Sequence, residues 1–202
     1  MSTLNCPSCG GEVPHELKYA KLVVCPQCQT SLFLEDEAVR NAGERSTLSD
    51  EPSLFSVGIP FDYHNVTHVP HGRIRFDYGQ GHWDEWWVTT NTGEAVWVSV
   101  DEGDIVMQTP LELKGAAPAY DKLTMGRTIT MGSDTLKVTE KNLSQCIGFE
   151  GELPEVIAVG EEHAYVHLSG PQGLLLTVEY FEGRADIFRG HWIDPFEVKP
   201  FS

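Results

Sequence analysis

Four of the five cysteines fall in two C-P-x-C pairs, Cys6 with Cys9 and Cys25 with Cys28, inside "CPSCGGEVPHELKYAKLVVCPQC". Fifteen residues separate the pairs, enough for a hairpin that brings two thiolate corners together around one ion. Zinc takes four such ligands in a tetrahedron. Thioredoxin-like redox pairs occur singly beside a βαβ pattern, which is absent here. Pro7 and Pro26 fix the entry of each turn, and Gly10 follows the first where a positive φ is often needed. Gln29 stands at the matching place in the second. Residues 1–34 are therefore read as a zinc ribbon holding one structural Zn2+ per chain. A closed four-cysteine site leaves no position for water or substrate, so the ion would stabilise and not catalyse. His15 has no vacancy to fill.

A tight C-x-x-C framework points to a reducing compartment, since disulfides belong to oxidising ones. No stretch reaches the roughly 20 apolar residues that span a bilayer, and no apolar leader precedes the cysteines. The chain is expected in the cytoplasm without membrane insertion. Its 30 acidic residues against 14 basic ones give a formal charge of -16. That excludes a phosphate-backbone binder, whose affinity comes from Lys and Arg, and permits cationic partners. Cys146, in "NLSQCIGF", is expected to be a small buried hydrophobe.

Residues 35–53, "EDEAVRNAGERSTLSDEPS", are acidic and lack apolar periodicity. They are expected to form a linker, with a short helix over "LEDEAVRNA", that tethers the ribbon loosely. From residue 54 to 202 the chain is punctuated by short apolar or alternating runs and Gly-containing turns such as Asn91–Glu94, Asp101–Gly103 and Met131–Asp134. The expected fold is mainly β, an antiparallel sandwich or barrel-like domain after a small ribbon. "SVGIPFDY" and "TMGRTITM" share a Gly before a strand, a hint of two similar β-lobes.

"GRIRFDYGQGHWDEWWVTTNTGEAVWVSVDEGD", "LKVTEKNLSQCIGFEGELPEVIAVGEE" and "LLLTVEYFEGRADIFRGHWID", in this order, resemble a bacterial domain-of-unknown-function family, DUF4178. The resemblance covers about residues 54–198, and many members also carry an N-terminal zinc ribbon. It transfers no catalytic residue. The usual genetic neighbours of the family, phage-shock-type membrane-remodelling proteins, small membrane proteins and aminopropyltransferase-like enzymes, imply a membrane-stress or defence setting. Leu136 stands where many members have Tyr in a Y-x-V-x-E strand.

"GHWDEWWVTT", residues 81–90, gathers three of the five tryptophans with His82, Asp84 and Glu85. As a strand it splits Trp83, Glu85 and Trp87 from Asp84, Trp86 and Val88 onto opposite faces. The two carboxylates then cannot face each other as an acid and base. Buried aromatics are more often core than cleft, and a buried Glu85 needs a cation or donors. Arg73 and Arg75, at alternate positions in the preceding strand, are the expected partners. His64, His68 and His71 form a second cluster, but on a strand His64 and His68 lie about 13 Å apart, too far for one metal; exposed loop histidines are the simpler expectation. No nucleophile elbow, phosphate loop or H-E-x-x-H occurs.

Two functions follow from this sequence. The first is a non-enzymatic adaptor whose ribbon and acidic β-domain dock protein partners, membrane-associated stress proteins among them. The second is a binder, or enzyme, for a small cation such as a polyamine in a Trp-lined groove around Trp83, Glu85 and Trp87. Exposure of the tryptophans separates them: full burial favours a scaffold, an open tryptophan cleft a ligand site.

Overall fold

A computed structural model describes residues 2–35, 38–46, 48, 53–113 and 115–200. The N-terminal part carries β1 (Ser2–Asn5), β2 (Glu12–His15), β3 (Leu22–Val24), β4 (Thr30–Glu35) and β5 (Ala38–Arg45). Then come β6 (Phe61–Tyr63), β7 (Val66–Asp77), β8 (His82–Thr90), β9 (Ala95–Asp101) and β10 (Asp104–Pro110). They are followed by β11 (Thr128–Met131), β12 (Asp134–Leu153), β13 (Glu162–Ser169), β14 (Leu174–Phe181), β15 (Arg184–Ile193) and β16 (Lys199–Pro200).

Eight of these strands close on themselves. The order β7-β8-β9-β10-β15-β14-β13-β12 returns to β7 through the β12–β7 pairing, and every pairing is antiparallel. Closure removes the open edges that would otherwise template aggregation. The barrel consists of two four-stranded halves, β7–β10 and β12–β15, joined first strand to first and last to last. A short strand precedes each half and pairs with it, β6 with β7 and β11 with β12. The glycines of the two sequence fragments noted above mark the same place in each half. Gly58 and Gly126 both have positive φ, and their amides donate to Pro70 and Val138 on the long strands. The hint of two lobes thus corresponds to two half-barrels sharing one wall, not to separate bodies.

Alternation sets the layers. Cross-strand partners share a face, so Ile74, Glu85, Ser99 and Val106 point with their neighbours into the barrel. On β13 and β14 the same inner face carries Tyr165 beside Glu179 and His167 beside Thr177. Bulges on β12 between Val138 and Glu140 and between Cys146 and Gly148 reset this alternation. Leu136 and Val138 consequently face outward, while Glu140 and Cys146 face inward.

Two apolar layers cover the outer surface. Leu136, Val138, Val166, Leu168, Leu176, Val178 and Ile187 pack under Leu111, Leu113, Leu123 and Tyr120 of the segment between β10 and β12. Phe55, Phe61 and Val198 pack over Trp86, Val88, Val98 and Ile105. Each such side chain contributes about 1.5–3 kcal/mol when fully buried.

The segment expected to be a linker is largely ordered, and the loose tether is corrected. Ala38–Arg45 is a strand paired with β4, not a helix. Ser46 then clamps β12, its hydroxyl bonded to the Phe149 amide and carbonyl. The rest of that expectation falls on residues 36–37, 47 and 49–52, outside the described residues. Ribbon and barrel share one sheet, because β3 pairs with the end of β12 through Leu22 with Leu153 and Val23 with Glu152.

Candidate functional site: a metal cluster and an acidic, aromatic barrel mouth

The two cysteine turns are built alike. Cys6 O accepts from Gly10 N and Cys25 O from Gln29 N, at 2.8 and 2.9 Å, and both acceptor turns end on a left-handed residue, Gly10 at φ 74 and Gln29 at φ 60. Gln29 therefore adopts the backbone for which Gly was expected. The four sulfurs lie within 4.8 Å of one another. Cys6 Sγ is 3.7 Å from Cys28 Sγ and Cys9 Sγ 3.8 Å from Cys25 Sγ. A tetrahedron of thiolates about 2.3 Å from an ion has edges of about 3.8 Å. Two of the edges match that length, and the set as a whole is close enough for one four-coordinate metal. The Thr30 hydroxyl lies 3.2 Å from Cys28 Sγ and gives one corner of the cluster a polar neighbour.

On β8 the two carboxylates part as expected, but the arginines go to the other one. The register places Arg75 opposite Asp84 and Ile74 opposite Glu85. Arg75 Nε and Nη2 donate to Asp84 at 2.7 and 2.9 Å, and Arg73 Nη1 donates to Asp84 at 3.1 Å. Arg73 also pairs with Glu150 at 2.9 Å and lies over the Trp86 ring. The expected Arg73 or Arg75 partner for Glu85 is thus corrected: both guanidinium groups occupy the outer face. Inside, Glu85 accepts from Trp83 Nε1 at 3.2 Å. Burial and then the charge of Glu155 push it up to about 7, with the Trp83 indole pulling the other way.

Glu85 has carboxylate company. Glu179, 7% exposed, is raised well above the ordinary carboxylate range by burial and next by Glu85 and Glu155. Glu155, on the turn after β12, is raised to about 7, chiefly by burial. Asp186 is the cross-strand neighbour of Glu179 and is bonded to Arg184 at 3.0 Å. Arg184 and Lys21 offset part of the negative charge at Glu155. Of these acids Glu155 and Asp186 line a cleft of about 620 Å³, walled also by Trp87, Trp97, Phe188 and Leu111; Glu85 lies two residues before Trp87 on β8, and Glu179 lies opposite Asp186. The rings of Trp87 and Trp97 are 5.0 Å apart, and the buried Trp87 Nε1 has no hydrogen-bond partner among the described residues. Trp83, Glu85 and Trp87 thus share the inner face, as the alternation predicts. Trp83, Trp86, Trp87 and Trp97 are all buried, but only Trp86 is pure scaffold on the outside. Sequence reasoning named Trp97 only as a tryptophan whose exposure would discriminate the two functions, and missed Glu155, Glu179 and Asp186. A single Glu inside the otherwise apolar run "LLLTVEYF" was the available signal for Glu179.

The other mouth has its own polar cluster. Glu140 accepts from the Tyr165 hydroxyl and lies 2.9 Å from His167 Nδ1. That bond, more than any other influence, holds its carboxyl below the ordinary range. Asp101 and Trp192 line the same small cavity of about 40 Å³. The histidines of the 64–71 cluster each have a partner of their own. His68 is buried on β7, stacked on Phe61, so the exposed-loop expectation does not hold there. His64 bonds Glu197 and His71 bonds Thr89. Among the described residues, the four cysteines are the group placed to hold a metal. Cys146 is fully buried, its thiol pushed up to about 12 by burial.

Fold and site together define a class: a closed antiparallel barrel with an acidic, aromatic lumen, seated against a ribbon whose four cysteines are placed to hold a metal. Residues 56–195 match the family described as Domain of unknown function (DUF4178), and the chain belongs to it. No curated protein and no solved structure matches the chain. Among the described residues no helix is long and apolar enough to cross a membrane.

Proposed function

We propose that the barrel binds a small organic cation, of the alkylammonium or polyamine class, at the mouth walled by Trp87, Trp97 and Phe188. One observation carries this reading: Glu85 and Glu179 are more than nine-tenths buried, carboxylates act on them more strongly than any cation, and two further acids, Glu155 and Asp186, line the cleft. Buried carboxyls without a counter-charge cost several kcal/mol to ionise. A cationic guest restores the balance, and aromatic faces favour an ammonium by cation–π attraction. Burial of the four tryptophans alone would suit a scaffold. The cleft and the acids lining it favour a ligand.

Zinc is the ion we assign to the cysteine cluster, on donor softness and tetrahedral sulfur spacing. Its role is structural. The test of the ligand reading is calorimetry of the metal-loaded protein with spermidine at pH 8, followed by tryptophan emission. Saturable binding that weakens at least about tenfold in Glu85→Gln supports it. A null titration at millimolar spermidine removes it.

An adaptor role has separate support in an apolar groove of about 380 Å³, lined by Leu54, Phe55, Ile59, Phe61, Pro195 and Val198. Phe196 beside it is 93% exposed, an unusual position for a large aromatic. Cross-linking from Phe196 to a second protein in the native cell tests that role, and failure to capture any partner counts against it.

A further inference from the structure

We infer that the ribbon backs the cation site from behind Trp87 and the Glu155 turn, so that metal in the four-cysteine cluster and cation in the barrel mouth favour one another. This rests on the cation-binding reading above. The ribbon loop between the two cysteine turns enters the barrel core directly: Leu17, Ala20 and Leu22 belong to the same buried cluster as Trp83, Trp87, Trp97 and Phe149. Tyr19 sets its ring edge against Trp87, centroids 6.3 Å apart at 86°, and Trp87 is a wall of the cleft. Tyr19 is thus a positioning residue that acts through Trp87.

Three backbone contacts fix the loop on the barrel. The Glu152 carboxylate accepts from the amides of Glu16 and Leu17, at 2.8 and 2.9 Å. The Lys21 amide donates to Leu153 O at 2.9 Å. Pro154 and Glu155, which line the cleft, directly follow Leu153. The seat of the ribbon therefore sets both an aromatic wall and an acid of the site.

The ribbon holds that seat only while folded. Its own core cluster is small, Cys6, Val13, Val23, Cys25 and Leu32, and two of its five members are cysteines of the metal cluster. A core of that size does not fold a module alone, and metal binding supplies the missing free energy. Removing the metal loosens Tyr19 and Leu17 from Trp87 and frees the Glu155 turn. A cation bound at the mouth favours the seated ribbon, and by linkage it favours the metal to the same degree.

The experiment compares spermidine binding by calorimetry for the full chain loaded with zinc and for the same chain stripped by a chelator that is then dialysed away. Loss of the metal is expected to weaken spermidine at least about fivefold, the lower end of ordinary coupling. Saturating spermidine is expected to raise zinc affinity by the same factor. Tyr19→Phe keeps the wild-type affinity with metal bound, and Tyr19→Ala, still metal-loaded, loses a similar factor. Equal spermidine affinity with and without zinc, or in Tyr19→Ala and wild type, overturns this inference and leaves the ligand reading standing. No spermidine binding to the zinc-loaded wild type removes both.

Discussion

Replacing Glu85 by Gln tests the central electrostatic claim, because it keeps the shape and removes the ionisable proton. The Gln carbonyl can still accept from Trp83 Nε1, so the 3.2 Å contact survives. In the folded protein Glu85 titrates near 7 against an ordinary 4.5. The folded state therefore holds this proton more tightly than the unfolded one. The stability it contributes is present below pH 4.5 and is lost as pH rises through 7. Each pH unit of difference corresponds to about 1.4 kcal/mol, so ionising Glu85 in place costs about 3 kcal/mol. The Gln variant escapes this loss. Urea unfolding followed by tryptophan emission should show it within about 1 kcal/mol of wild type at pH 5 and about 3 kcal/mol more stable at pH 8. The same variant should lose spermidine binding, which separates the ligand role from stability. A stability difference that is the same at both pH values, or a Gln variant that is weaker at pH 8, would show Glu85 ionised beside a cation of its own fold. The vacancy for a guest charge would then disappear.

Asp84→Ala removes the buried carboxylate that Arg73 and Arg75 share, and should cost about 3–5 kcal/mol in urea unfolding; a loss under 1 kcal/mol would show that this ion pair is dispensable. Gln29→Gly relieves a left-handed side-chain backbone worth about 1–2 kcal/mol, partly offset by the entropy glycine loses on folding. Amide exchange within the ribbon should slow, and unchanged or faster exchange refutes the strain. Cys25→Ser should abolish the one metal per chain in elemental analysis and expose amides of residues 4–34 while those of β8 and β14 stay protected. Loss of protection throughout the barrel would show that the ribbon is needed for the whole fold.

What the sequence revealed was local. The ligand spacing Cys6-Cys9 and Cys25-Cys28 defines a metal corner within a few residues, and the alternation of β8 correctly parts Asp84 from Glu85. Both depend on geometry that adjacent residues set. Partner choice for Glu85 depends on register, which the Tyr78–Gly81 turn and the bulge between Pro70 and Gly72 decide. The opposing residue is Ile74, and Arg73 and Arg75 fall on the far side. The docking of the ribbon was out of reach for a different reason. The carboxylate that grips Glu16 lies 136 residues away at Glu152, in a "GELP" stretch that reads as a plain turn. The acids at the mouth were hidden similarly: Glu85, Glu155 and Glu179 lie on three separate segments and meet only because the sheet closes.

The two half-barrels give the molecule a symmetry that its chemistry has abandoned. Where one half carries Trp83, Glu85 and Trp87 on its second strand, the other carries His163, Tyr165 and His167. Where the third strand of one carries Ser99, the other carries Glu179, each beside its own Glu-Gly hairpin turn. A repeated architecture with diverged inner faces resembles a vessel thrown twice from one mould and glazed differently. The second strand of one half became indole and carboxyl, that of the other imidazole and phenol, so selection, or an engineer, can recolour either inner face while the shared clay stays as it is.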